Sequence, residues 1–214
     1  MSAPNLAHTL LSLLAVQGVD MGDSAPAAPG ETTALIQDGA PVVTLVLQGV
    51  LARRGRGVDI SSGLAGAGDL INFGAVTDGE DPETGLWLTP GQHVTIAAER
   101  LRAAIDPATL TETAIADLRR RNAALRAEVA RHAALRVVDR LAVLLLDLND
   151  MGGGERLGLR QSDLAALLSV RRASVSTAGA ELQATGAIRV RRGGVQIVDR
   201  ETLERLVPRG FTRP

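Results

Sequence analysis

A chain of 214 residues, 45% apolar and 22% charged, has room for two modest domains with a core each, and this composition excludes wholesale disorder. It has no Cys and no Tyr, with one Trp and two Phe, which excludes disulfides, thiolate chemistry and cysteine-held metal centres and leaves an aromatic platform for single-stranded nucleic acid poorly supplied. The net charge of −1 hides an asymmetry, since residues 1–135 carry 10 Arg against 15 acids and residues 136–214 carry 13 Arg against 9, so a basic lobe suited to a polyanion follows an acidic body.

The apolar run Leu6–Val16 is too short to span a bilayer and no basic residue precedes it. It predicts a docked amphipathic helix on a cytoplasmic protein with no membrane partner. Asp23–Gly30, rich in Ala, Pro and Gly, reads as a linker. Between Thr32 and Ala97 the runs Val42–Leu47, Val58–Ile60, Leu86–Leu88 and Val94–Ala97 are short, β-branched and separated by turn residues, the pattern of a small antiparallel β-roll. The acids Asp78, Glu80, Asp81 and Glu83 lie in a Gly/Pro turn and read as a solvated loop rather than a metal site. His8, His93 and His132 are scattered, so no metal or cofactor is expected.

From Ala98 the pattern becomes helical. A short helix over 99–105 is followed by Asp106 as a cap and Pro107 in a first turn, and nothing then breaks a helix before about His132. Within it Ile115, Leu118, Asn122, Leu125, Val129 and His132 alternate at spacings of three and four, the seam of a parallel two-stranded coiled coil with Asn122 specifying register. Arg119, Arg120, Arg121 and Arg126 are expected to keep the opposite face in water. The competing reading is a helix that packs only on its own β domain.

A further helix from Val137 to Asn149 ends at the Gly152–Gly154 run, which lacks the Gly-Lys-Ser/Thr of a phosphate loop. Then come a helix over 160–168, a tight Ser169-Val170 connector and a helix over 171–183, the layout of a helix-turn-helix. In the first helix Arg160, Gln161 and Ser162 lie at the exposed start. In the second, Val175 and Leu182 face inward, leaving Arg171, Arg172, Ser174, Ser176 and Thr177 outward, where they can reach base edges or phosphates of duplex DNA. Residues 187–198 alternate as a hairpin with Arg189, Arg191 and Arg192 on and near its tip, a wing.

The runs Arg140–Leu146, Gln161–Ala165, Val170–Ser176, Gly186–Ile188 and Gly193–Asp199 resemble the Crp/Fnr family, the cyclic AMP receptor and fumarate–nitrate regulators. The resemblance is strong over 136–206 and weaker before. It implies an α+β architecture with a cyclic-nucleotide-binding-like β-roll (1–106), a coiled-coil dimerisation helix (107–135) and a winged helix-turn-helix (136–214). It also implies a non-enzymatic, homodimeric transcription regulator that binds double-stranded DNA, with RNA polymerase or another regulator as a further partner. An adaptor that acts on another regulator without reading DNA is the alternative.

Departures from the family pattern matter as much as the matches. The recognition helix keeps Arg172 but has Ala173 and Thr177 where family members often carry Glu and Arg. In the effector domain Ala75 stands where nucleotide binders carry a ribose-holding Glu, and no Arg or Lys occurs between 75 and 98. Burying a phosphate without a counter-charge is unfavourable by several kcal/mol, so cyclic nucleotides are not expected to bind.

Overall fold

The computed structural model describes residues 22–55, 61–77 and 82–211. The apolar run Leu6–Val16, the strand expected over 58–60 and the acids Asp78, Glu80 and Asp81 lie outside them. The chain divides into two compact units between Ala123 and Ala124, inside the segment expected to be a long helix.

The first unit is an antiparallel β-roll. Its strands are β1 (Ala25–Ala27), β2 (Ile36–Gln37), β3 (Ala40–Gln48), β4 (Leu51–Gly55), β5 (Ser61–Ala65), β6 (Leu70–Ile71), β7 (Glu83–Trp87) and β8 (Gly91–Ala97). One sheet runs β1-β8-β3-β2 with β6 also on β3, and the other runs β5-β4-β7. Every residue of β3 from Val42 to Val46 is buried, because the strand has a core on each face. Val43 and Leu45 join Val94, Ile96, Phe73 and the helical Leu101 and Leu110. Val46 instead meets Leu51, Ala65, Ile71 and Trp87, which ties the two sheets together. The stretch read as a linker contains β1, which pairs with β8. Pro26 is tolerated there because β1 is an edge strand, where a missing ladder donor costs little. Gly91 is required beside Trp87, since a Cβ there would overlap the Trp87 ring and stand 2.6 Å from the Gln48 carbonyl oxygen.

Helices α1 (Ala98–Ala104) and α2 (Pro107–Ala134) follow. Asp106 starts α2 as expected, its Oδ1 accepting from the Thr109 amide at 2.9 Å. Leu110, Thr113 and Asp117 are the buried residues of α2, one per turn along a single face.

The second unit is helical with a small sheet. Its elements after α2 are α3 (Val137–Leu148), β9 (Arg156–Leu157), α4 (Gln161–Leu168), α5 (Arg172–Ala184), β10 (Ile188–Arg191), β11 (Gly194–Ile197) and α6 (Arg200–Leu206). The apolar face of α3, with Leu141, Leu145 and Leu148 fully buried, packs on α5 and α6. The expected hairpin is the pair β10–β11, and β9 adds a third antiparallel strand through Leu157 and Arg156. No helix among the described residues is long and apolar enough to cross a membrane.

Candidate nucleic-acid interface

The turn between α4 and α5 fixes the geometry of the helix pair. Ser169 adopts a left-handed conformation with φ of 53°. Its amide donates to the Ala166 carbonyl at 3.2 Å and the Val170 amide donates to that of Ala165 at 3.0 Å, the paired bonds that close a helix end and turn the chain sharply. The start of α4 is held by Asp163, whose Oδ2 accepts from the Arg160 amide at 2.7 Å. Val175, Ala178, Gly179 and Leu182 form the buried side of α5, so its rotation agrees with the sequence reading.

That rotation leaves Arg171, Arg172, Ser176 and Thr177 exposed, with Ser174 half-buried. Arg160 and Ser162 are exposed at the start of α4, where Gln161 is half-buried, and Arg189, Arg191 and Arg192 are exposed on the wing. Among the described residues none of these six arginines has a carboxylate partner. Elsewhere in the unit Arg136 pairs with Asp139 and Glu181, Arg200 with Asp150 and Glu204, and Arg205 with Glu201. Thr177 Oγ1 donates to the Ala173 carbonyl at 3.1 Å, which leaves its lone pairs to act as acceptors. The wing is fastened to α5 by the Val190 amide, which donates to Gln183 Oε1 at 2.8 Å.

Residues 139–206 match the family model of the Crp-like helix-turn-helix domain. The second unit contains a Crp-like helix-turn-helix domain. The described residues share the fold of Crp/Fnr-family regulators. It is similar to a CRP-family transcriptional regulator of Thermus thermophilus, at 22% identity over 85% of this chain and 95% of that one, with a TM-score of 0.68. A CRP/FNR-family regulator of the same organism gives 21% identity over 86% and 97%, with a TM-score of 0.67. The c-di-GMP responsive global regulator CLP of Xanthomonas campestris gives 18% over 89% and 98%, with a TM-score of 0.65. No curated protein sequence matches the chain. The resemblance read from the motifs is therefore borne out for the Crp-like domain and for the fold.

One residue of the Crp-like domain's basic surface was not singled out in the sequence. Arg156 on β9 is exposed and pairs in register with Gln196, and it lines with Arg191 and Arg192 a hollow of about 410 Å³ at the wing. Its only sequence signal is the alternation around Leu157 and Leu159, and a two-residue strand is too short to stand out.

In the β-roll, Glu83 corrects the solvated-loop reading. It is only 5% exposed, and its Oε2 accepts from Arg53 Nη1 at 2.7 Å. A buried carboxylate needs a partner, and β4 supplies it across the sheet. Glu83 Oε1 also accepts from Arg121 at 2.8 Å, Arg121 lies 3.5 Å from Asp117, and Arg120 bridges Asp117 and Asp69. Arg53 returns to Asp69 at 3.9 Å. Three guanidiniums and three carboxylates thus close a circuit between the β-roll and α2. Arg120 and Arg121, expected in water on the face opposite the seam, are drawn into it because Asp69 and Glu83 stand within reach. Burial alone pushes the Arg120 pKa down, and Asp69 and Asp117 more than reverse this, leaving it above the ordinary arginine value.

On α2 the seam residues remain uncovered in the single chain, with Ile115, Leu118, Leu125 and Val129 at 43, 62, 50 and 61% exposure and Asn122 exposed among them. His132, next at the same spacing, has partners within its own chain. Its Nε2 lies 2.8 Å from Arg140 Nη2 and 3.2 Å from Glu128 Oε1.

Proposed function

We propose that the chain is a transcription regulator that binds duplex DNA as a homodimer, without a cyclic nucleotide. The observation that carries this is the set of six exposed arginines without carboxylate partners on α4, α5 and the wing of a Crp-like domain, which leaves their positive charge available to phosphates and base edges. In this reading Arg172 and Arg171 face the major groove, with Ser174, Ser176 and Thr177 beside them. Arg160, Gln161 and Ser162 meet the backbone, as do Arg189, Arg191 and Arg192. Residues 107–135 dimerise through Ile115, Leu118, Asn122, Leu125 and Val129, because an exposed apolar line on one long helix is covered most economically by its own copy. The related proteins are named as transcriptional regulators, which agrees with this role and with a cytoplasmic location.

Independence from cyclic nucleotides is supported by the charge circuit. A phosphate brought to Arg53, Arg120 or Arg121 would meet Asp69, Glu83 and Asp117 already in place, and would have to displace them at the cost of buried unpaired carboxylates.

The test is binding of the full chain to duplexes selected from a random pool, over a salt series. The expected result is a preferred sequence with half-sites about one helical turn apart, and an affinity falling by about 0.9 log units per log unit of salt for each phosphate contact. A chain with neither sequence preference nor salt slope would act instead as an adaptor.

A further inference from the structure

Arg140 on α3 is a buried guanidinium, 8% exposed, that the proposed interface does not use. Its Nη2 donates to two acceptors, the Leu168 carbonyl at the end of α4 and His132 Nε2 on α2, while its Nε has no partner among the described residues. Leu168 is the last residue of α4 before the left-handed Ser169 that turns the chain into α5. One side chain therefore straps the turn of the helix-turn-helix to the C-terminal end of α2.

The His132 end of the strap is sensitive to a proton. Arginine has donors only, so the contact with Arg140 requires a bare lone pair on Nε2. The same atom stands 3.2 Å from a Glu128 oxygen, which is an acceptor only and calls for a proton there. Nε2 cannot serve both. With Nε2 bare the imidazole holds Arg140. The neutral ring does this with its one proton on Nδ1, whereas the imidazolium carries a proton on each nitrogen, turns to Glu128 and places a donor against the guanidinium. The other charged or polar groups around this point are Arg131, which reaches Asp147 on α3, the Phe211 carbonyl and, at 3.4 Å, the second oxygen of Glu128, and the Leu168 carbonyl on α4. Burial pushes the Arg140 pKa down and Glu128 partly opposes this, as expected of a cation with few acceptors to lose.

We propose that Arg140 is a positioning residue for DNA binding, and that the proton on His132 Nε2 decides whether its strap on the α4–α5 turn holds. The inference rests on the DNA-binding reading above. Its sign separates it from general electrostatics. Added positive charge at low pH strengthens contact with a polyanion, whereas release of the strap weakens binding as the pH falls, because the binding-competent form is the one that lacks the proton.

The test uses the full-length protein and the duplex it selects at pH 7.5, with affinity measured from pH 7.5 to 5.5. The wild type is expected to lose about tenfold or more in affinity. His132→Gln, whose amide oxygen accepts from Arg140 at every pH, should keep its affinity nearly constant. Arg140→Lys should be weaker at both ends and flat. Hydrogen exchange of the Ser169 and Val170 amides in the free protein, expressed as protection factors, should fall with pH in the wild type and stay level in His132→Gln. Constant or rising affinity in the wild type, or the same fall in His132→Gln, would overturn the proposal. A chain that selects no duplex would instead sink the DNA-binding reading, and the exchange measurement would still decide whether the strap responds to the proton.

Discussion

Replacing Leu118 and Leu125 together by Asp is expected to turn a dimer into a monomer without unfolding either unit. Fully burying an aliphatic side chain of this size is worth about 1.5–3 kcal/mol. Ile115, Leu118, Leu125 and Val129 are 43, 62, 50 and 61% exposed in the single chain. Pairing α2 with its copy therefore still gains about 1 kcal/mol at each, or about 8 kcal/mol over eight side chains. Association costs about 4–15 kcal/mol, so the seam has little surplus and cannot lose half of its apolar contacts. The double substitution removes about 4 kcal/mol, close to three decades in dissociation constant, and sets carboxylates against each other across the pair. Sedimentation velocity should show a wild-type dimer at micromolar concentration and a variant monomer at tens of micromolar, with unchanged helical circular dichroism because both side chains are exposed. A monomeric wild type, or a variant that stays dimeric, would refute the argument that α2 pairs along this line.

Four further outcomes are expected. Arg172→Ala should cost about 1–3 kcal/mol and relax base preference at one position of each half-site, whereas Arg192→Ala should weaken all sequences alike and lower the salt slope by about one; titrations against single-base variants would exchange these roles if the pattern were reversed. Calorimetric titration with cyclic AMP and cyclic GMP should show no binding, and micromolar affinity for either would overturn the pocket argument. Glu83→Gln should destabilise the protein by about 3 kcal/mol in denaturant unfolding by removing the carboxylate charge nearest the buried Arg53, and the joint change Arg53→Met with Glu83→Leu should cost less. The side-chain and backbone hydrogen bonds from Thr109 to Asp106, and from Thr202 to Asp199, hold both carboxyl pKa values below the ordinary value. Their contribution is complete above the unfolded carboxyl pKa of about 4 and disappears as the pH falls through the lower folded value, so Asp106→Asn with Asp199→Asn should flatten the acid limb of stability.

The parts of the molecule that could be read from its sequence are those encoded locally. Val175 and Leu182 gave the rotation of α5 because a helix repeats its buried face over a few turns, and Asp106-Pro107 marked the start of α2 because a cap acts within three residues. Strands β4 and β5 were missed, since Leu51-Ala52-Arg53-Arg54 reads as polar punctuation until one knows that β4 pairs with β7, whose Glu83 accepts from the Arg53 side chain. Glu83 was misread for the same reason, because a carboxylate's burial depends on a cation 30 residues away in sequence. His132 continued the heptad by spacing alone, and only the position of Arg140 shows that its ring has other partners. Arg156 entered the basic surface through a strand of two residues that no periodicity can reveal.

The charge circuit bears on the direction of the proposed seam. With about 100° of turn per residue, Leu110, Thr113, Asp117, Arg120 and Arg121 fall within about 60° of one direction on α2, and Leu118, Asn122, Leu125 and Val129 centre about 120° away. Apolar contacts at Leu110 alone would tolerate a small rotation of the helix. A rotation by one residue would carry Arg120 away from Asp69 and Arg121 away from Glu83, carboxylates whose side chains are only 14 and 6% exposed. Breaking a buried pair from one side costs about 3–5 kcal/mol, although the same positions filled with apolar groups would be as stable or more so. The circuit therefore contributes little to net stability relative to an apolar filling, and much to holding one rotation of the helix over its neighbours. That distinction bears on the proposed dimer: the three arginines of the circuit already face carboxylates, and the roll would then have a role that needs no ligand, fixing the face that α2 offers to a second copy. The joint change of Arg53 and Glu83 to apolar residues should then leave stability nearly intact while loosening dimer register, seen as broadened distances between spin labels placed at Ala124 of the two copies. Unchanged distance distributions would show that Leu110 and its neighbours suffice to orient the helix.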